Sequence, residues 1–141
     1  MGAKYVLVVD DDPNQRESIA EILESKGYRV TTTGNGWQAL ELAATSPPAI
    51  ILLDLSMPVM TGWVVINRLK SDSTLRDIPI LVISDEVDLP QNVIALLKPV
   101  RIEQMLGLIE CVLEGGTQSA RAKGFTDSSD QATAKALGTR E

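Results

Sequence analysis

The chain has 141 residues, of which 44% are hydrophobic and 23% are charged, and its formal net charge is −6. This length fits one ordinary domain with a core, and the acidic balance disfavours a nucleic-acid-binding surface, which needs a basic stripe. Histidine is absent and Cys111 is the only cysteine, which excludes Ser-His-Asp and Cys-His catalysis, histidine metal sites and an internal disulfide.

The cellular compartment is indicated by three further features of the sequence. No apolar run approaches the roughly 20 residues of a membrane span. The first residues lead directly into a strand pattern rather than a signal peptide. A single unpaired thiol is typical of a reducing compartment. We therefore expect a cytoplasmic protein with no membrane or nucleic-acid partner.

The start of the chain predicts a buried strand followed by a capped helix. Residues 5–9 form a continuous apolar run, as expected for a strand that is buried on both faces. Asp12 and Pro13 predict an N-cap and the first helical position. The apolar residues of this helix recur at helical spacing: Ile19, Ile22 and Leu23. Gly27 predicts its end.

The next segment predicts two further strands around a short helix. Residues 29–33 are more polar, which favours a strand near the edge of a sheet. After the turn Gly34-Asn35-Gly36, a short helix ends before Pro47-Pro48 and is indicated by Trp37, Leu40 and Ala44. Residues 49–53 form the most apolar run of the chain and lead into Asp54.

The same alternation continues to the end of the folded part. Residues 80–83 predict a strand that ends in Ser84, and residues 93–97 predict a fifth strand that ends in Lys98. Two helices are indicated by the apolar residues Val65, Ile66 and Leu69, and by Ile102, Met105, Leu106, Ile109, Val112 and Leu113. Alternating strands and helices predict an α/β fold, with a parallel sheet covered by helices on both faces.

Polar side chains follow four of the predicted strands, at the point where each strand ends. They are Asp10 and Asp11, Asp54, Ser84, and Lys98. In a parallel α/β sheet the carboxyl ends of the strands lie on one edge, where ligands bind. We therefore expect residues that are far apart in the sequence to converge on one cleft.

These strand ends carry motifs that resemble the receiver domain of bacterial two-component response regulators, of the chemotaxis-regulator type. The matching segments are residues 8–13 (VVDDDP), residues 53–58 (LDLSMP) with Gly62, Ile83-Ser84, and Lys98-Pro99. The resemblance covers residues 4–114. It implies a flavodoxin-like, doubly wound sheet of five parallel strands in the order 2-1-3-4-5, and a cis peptide bond before Pro99.

The resemblance also implies the chemistry of the site. Asp54 is the expected phosphoacceptor, Lys98 places a positive charge on the phosphoryl oxygens, and the Ser84 hydroxyl bonds one of them. The expected Mg²⁺ ligands are the carboxylates of Asp10, Asp11 and Asp54 and the backbone carbonyl of Ser56. Clustered carboxylates repel one another, and a hard cation with oxygen ligands relieves this repulsion.

Because the chain has no histidine, the expected phosphoryl donor is a partner, either a histidine kinase or a histidine phosphotransfer protein. The expected activity is that of a switch and not of an enzyme, limited to self-phosphotransfer and slow autodephosphorylation. The sequence does not identify the downstream protein effector, and a homodimer is compatible with the resemblance.

The sequence departs from the family pattern on one surface. Only eight residues, 85–92, precede the fifth strand, and Pro90 lies among them, so the usual three-turn helix does not fit and the fourth helix is predicted to be lost or shortened. The aromatic switch residue usually found three positions before the lysine is Ala95. We expect the readout to involve Ser84 and the 85–92 loop, including Glu86.

The sequence also predicts how the chain divides into a domain and a tail. Residues 1–114 form the predicted receiver domain with a net charge of −7, and residues 115–141, rich in Gly, Ser and Thr, form a predicted flexible tail or linker start with a net charge of +1.

Two alternative functions stay open. One alternative is a degenerate receiver that binds partners without phosphorylation. The other is a phosphohydrolase of the haloacid dehalogenase type with Asp10 as nucleophile, which lacks acidic ligands on a strand after Lys98.

Overall fold

Strands and helices alternate along most of the chain, as predicted. The computed structural model describes residues 5–55, 61–84 and 93–122. The described elements are β1 (Val6–Val9), α1 (Pro13–Ser25), β2 (Val30–Thr33), α2 (Gly36–Thr45), β3 (Ile50–Asp54), α3 (Gly62–Lys70), β4 (Ile80–Ser84), β5 (Ile94–Leu97) and α4 (Ile102–Ala122). The strands form one sheet in the order β2-β1-β3-β4-β5, which confirms the expected doubly wound topology.

The chain divides by its internal contacts into a first unit, Met1–Ile78, and a second unit, Pro79–Glu141. In the first unit β1 pairs in parallel with β2 and β3, and its last residue, Val9, lies opposite Thr33 and Leu53. The apolar residues of β1 and β3 are at most 1% exposed. Continuous apolar runs are required there because both faces of these strands are covered.

Local signals determine the ends of α1 as predicted. The Asp12 side chain accepts a hydrogen bond from the Asn14 backbone N–H at 3.0 Å, and Pro13 occupies the first helical position. Beyond the helix, Gly27 has a φ of 94°, a left-handed conformation that glycine adopts without a Cβ penalty. The buried face of the helix is formed by Ile19 and Leu23.

The buried face of α2 differs from the residues that indicate this helix in the sequence, Trp37, Leu40 and Ala44. The buried residues of α2 are small, namely Gly36, Ala39 and Ala43. Trp37 is 53% exposed, and Ala44 is also exposed. Small residues allow a helix axis to approach its neighbours closely, and of the larger apolar residues of α2 Leu40 and Leu42 are half-buried while Trp37 is exposed.

In the second unit β4 and β5 pair in parallel, with Ser84 opposite Leu97. The helix α4 packs its apolar face inward through Met105, Leu108, Ile109 and Val112. It continues to Ala122, eight residues beyond the expected end of the last helix at residue 114. The segment after Gly115-Gly116 contains good helix formers such as Gln118 and Ala120, so the helix persists, whereas the domain boundary at residue 114 stays a prediction.

The described residues contain four helices, and the segment predicted to have lost or shortened its helix is not among them. The predicted loop 85–92, which includes Glu86, lies outside the described residues. No helix in the described ranges is long and apolar enough to cross a membrane.

Candidate functional site

Three acidic residues meet at the carboxyl ends of β1 and β3. Val9 lies opposite Leu53 in the parallel pair, so Asp10 and Asp54 are the next residues on adjacent strands. One carboxylate oxygen each from Asp10, Asp11 and Asp54 lie within 4.8 Å of one another. Asp10 is 4% exposed and Asp54 is 6% exposed, whereas Asp11 faces solvent. The structure therefore brings together the three carboxylates that were predicted to do so.

This cluster fits a hard divalent cation. Mg²⁺ holds oxygen ligands at about 2.0–2.1 Å, so two ligands of one ion lie at most about 4.2 Å apart. The observed limit of 4.8 Å between the carboxylate oxygens is close to this spacing. One exposed acid on the cluster leaves an open side, which suits an ion that keeps several waters and one more ligand.

Backbone hydrogen bonds hold the segment that carries the first two acids. The Asp10 N–H donates to the Thr33 carbonyl at 3.1 Å, and the Asp12 N–H donates to Oδ1 of Asp10 at 3.0 Å. Because Asp12 is also the N-cap of α1, the turn from strand to helix supports the Asp10 carboxylate.

Arg16 is a further contact of this segment and was not among the predicted site residues. Its Nη1 donates to the backbone carbonyl oxygen of Asp10 at 2.8 Å. A basic residue on the first helix, just after three consecutive acids, is the signal that could have indicated it.

Gly62 has a steric role beside the third acid. Its N–H donates to the Leu55 carbonyl at 3.0 Å. A Cβ at this position would lie 2.7 Å from Cα of Leu55 and 2.8 Å from the backbone oxygen of Asp54. Only glycine therefore allows α3 to begin this close to the end of β3.

Ser84 and Lys98 lie together at the carboxyl ends of the strands of the second unit. Ser84 is fully buried as the last residue of β4. The Lys98 N–H donates to the Ser84 carbonyl at 2.8 Å, and the Lys98–Pro99 peptide bond is cis, as the resemblance implied. Ala95 lies in β5 opposite Val82 and is half-buried.

Two predicted site residues lie outside the described residues. They are Ser56, the expected carbonyl ligand, and Glu86, the expected readout residue. The Met57-Pro58 part of the motif lies outside them as well. Their expected roles stay predictions.

Comparison with known proteins agrees with this geometry. A family model described as the response regulator receiver domain matches residues 6–109. The two-component response regulator ORR5 of Oryza sativa is 41% identical over 86 residues, which cover 60% of this chain and 64% of that protein. The chain thus spans less than two thirds of the length of this relative.

Solved structures show the same architecture. The chemotaxis protein CheY4 of Vibrio cholerae has a TM-score of 0.68 and 28% identity, covering 77% of this chain and 98% of that chain. The response regulator protein TrrA of Thermotoga maritima, solved in complex with Mg²⁺-BeF, also has a TM-score of 0.68, with 26% identity over 77% of this chain and 97% of that chain.

Proposed function

Because this chain belongs to the response regulator receiver domain family, we propose that it is a phosphoacceptor switch in two-component signal transduction, with Asp54 as the acceptor. The observation that carries the proposal is the cluster of Asp10, Asp11 and Asp54, whose carboxylate oxygens lie within 4.8 Å of one another at the ends of two paired strands. Such a cluster supports binding of Mg²⁺ beside a nucleophilic carboxylate.

The proposed reaction is a single phosphoryl transfer. An oxygen of the Asp54 carboxylate forms a bond to phosphorus, while the bond from phosphorus to the donor's imidazole nitrogen breaks and its electron pair stays with that nitrogen. The chain has no histidine, so the donor is a partner histidine kinase or histidine phosphotransfer protein. Transfer of this kind depends mainly on positioning and charge stabilisation.

The chain's own residues divide these tasks. The carboxylates of Asp10, Asp11 and Asp54 and the backbone carbonyl of Ser56 would hold Mg²⁺, which supplies positive charge where the phosphoryl group approaches an anion. The Lys98 ammonium provides a second positive charge for the phosphoryl oxygens.

Readout is proposed to start from Ser84, whose hydroxyl bonds a phosphoryl oxygen. Ala95 cannot serve as an aromatic switch, so the 85–92 segment with Glu86 is proposed to transmit the change to a downstream protein effector. We propose no turnover beyond self-phosphotransfer and slow autodephosphorylation. A reducing, cytoplasmic location is consistent with the single thiol at Cys111.

A labelling experiment tests the proposal. The purified chain is incubated with Mg²⁺ and a small acyl phosphate donor, and its intact mass is measured before and after treatment with hydroxylamine, which cleaves acyl phosphates. We expect one added phosphoryl group that maps to Asp54, requires Mg²⁺ and is lost in Asp54→Asn. Glu41→Gln, which changes an exposed acid on α2, is the matched control and should be labelled normally.

Other outcomes favour the alternative functions. A folded protein that carries no label under any condition would indicate a degenerate receiver acting through phosphorylation-independent binding. Continuous hydrolysis of phosphate esters, with the label on Asp10, would indicate a phosphohydrolase.

A further inference from the structure

The Arg16 side chain reaches from α1 back to the end of β1. Its Nη1 donates to the backbone oxygen of Asp10 at 2.8 Å in a partly buried setting. This oxygen belongs to the peptide unit that joins Asp10 to Asp11. The orientation of that unit determines the direction in which both side chains leave the backbone, so the contact acts on two of the three clustered acids.

The contact complements the other anchors of the same segment. The Asp10 N–H is held by the Thr33 carbonyl at 3.1 Å, and its carboxylate accepts the Asp12 N–H at 3.0 Å. Neither bond restrains the carbonyl side of the Asp10–Asp11 peptide. Arg16 does so with a charged donor, and charge-assisted hydrogen bonds are roughly twice as strong as neutral ones.

The Arg16 contact does not involve the carboxylate of Asp10. The guanidinium bonds the carbonyl oxygen of Asp10 and not its carboxylate. In this contact Arg16 therefore brings a fixed positive charge to the segment without occupying a carboxylate oxygen that a metal ion would use.

Gly34 provides the space for this arrangement. A Cβ at Gly34 would lie 2.8 Å from Nη1 of Arg16 and 3.5 Å from its Cζ, so the guanidinium lies against the glycine backbone. The φ of Gly34 is outside the left-handed region, so alanine is compatible with the backbone there. A methyl group added at Gly34 would therefore affect the site by displacing the Arg16 guanidinium.

We propose that Arg16 is a positioning residue for Mg²⁺ binding, which aligns the Asp10–Asp11 pair through the peptide between them, and that Gly34 allows it to do so. The proposal rests on the function proposed above. Groups that orient metal ligands without touching the metal typically change metal affinity by about 10- to 100-fold when they are removed.

Calorimetric titration with Mg²⁺ tests this role in the full chain. We expect Arg16→Ala to weaken Mg²⁺ affinity by on the order of 10- to 100-fold, and Arg16→Lys, which keeps the charge and one donor, to lose less. Gly34→Ala should weaken affinity in the same direction. The double variant should bind no more weakly than Arg16→Ala, because both changes remove the same contact.

Two control variants separate this contact from general effects. Arg29→Ala removes an exposed positive charge and so matches the change in net charge. Gly107→Ala adds a methyl group at a position with no neighbouring atom within 4 Å. Both should bind Mg²⁺ as the unchanged chain does.

Urea unfolding with and without Mg²⁺ distinguishes positioning from a merely structural role. A positioning role reduces the stability gained on adding Mg²⁺, whereas a structural role lowers stability equally in both conditions and would overturn the proposal. Equal Mg²⁺ affinity in the unchanged chain and in the Arg16 and Gly34 variants would overturn this inference alone. Absence of Mg²⁺ binding in the unchanged chain would overturn the proposed function as well.

Discussion

Gly62, the first residue of α3, lies directly against Asp54, the last residue of β3: a Cβ at Gly62 would be 2.8 Å from the backbone oxygen of Asp54. The start of one helix therefore restricts the position of the proposed phosphoacceptor. The two nearest atoms belong to the backbone, which cannot move aside as a flexible side chain can.

Gly62→Ala should therefore displace the end of β3. Overpacking of this kind costs about 1–3 kcal/mol of unfolding free energy, and Mg²⁺-dependent labelling of Asp54 should fall with it. Urea unfolding and intact-mass labelling measure the two effects. Gly107→Ala, in the open position on α4, should instead be neutral or stabilising. If Gly62→Ala matched that control in both measurements, the steric role of Gly62 would be wrong.

Asp11→Asn should affect stability in opposite ways without and with Mg²⁺. Asp11 is exposed and its carboxylate lies near those of Asp10 and Asp54, so the substitution removes repulsion, and stability without Mg²⁺ should be unchanged or higher. With Mg²⁺ at about 100 times its dissociation constant, the unchanged chain should gain about 2.7 kcal/mol, and the variant should gain less. Thermal unfolding across a series of Mg²⁺ concentrations measures the gain in stability of each chain. An equal gain in the variant and the unchanged chain would show that Asp11 is not a Mg²⁺ ligand.

Trp37 and Arg68 should show a small energetic coupling between α2 and α3. The Arg68 guanidinium carbon lies 5.1 Å from the centroid of the Trp37 ring, a cation–π geometry worth about 0.5–1 kcal/mol at exposed sites. A double-mutant cycle with Trp37→Ala and Arg68→Ala measures it. The control cycle pairs Arg68→Ala with Trp63→Ala, since residues five apart on α3 are not surface neighbours. Full additivity in the first cycle would contradict the coupling.

Tyr5→Phe should lower stability near neutral pH and lose this effect in strong alkali. The Tyr5 hydroxyl donates to the Ser46 carbonyl at 2.6 Å, a bond worth about 1 kcal/mol, and burial raises the pKa of Tyr5 above its usual value of 10.0. The folded state thus favours the protonated phenol, and its stabilisation is complete below pH 10.0 and is lost as pH rises through the raised pKa.

Urea unfolding of both chains from neutral to alkaline pH, with tyrosinate absorbance as the titration signal, measures the Tyr5 effect. A difference in stability between Tyr5→Phe and the unchanged chain that persists after the phenol has ionised would contradict it.

Local features and the consequences of a parallel sheet were predicted correctly. Asp12 and Pro13 begin α1 and Gly27 follows its end, because capping and a positive φ are properties of a few neighbouring residues. The polar strand β2 lies at the sheet edge. The strand-end acids Asp10, Asp11 and Asp54 converge because parallel strands share one carboxyl edge.

The buried face of α2 and the contact of Arg16 were decided by the tertiary structure. Apolar residues surround most of α2, so periodicity does not select a core side, and only close packing against other elements buries Ala39 and Ala43 in place of Trp37. The Arg16 guanidinium meets Asp10 across the space that Gly34 leaves open. The sequence by itself determined which chemical groups reach the sheet edge, whereas side-chain contacts between elements determined how those groups are held, because such contacts depend on distances that no local pattern encodes.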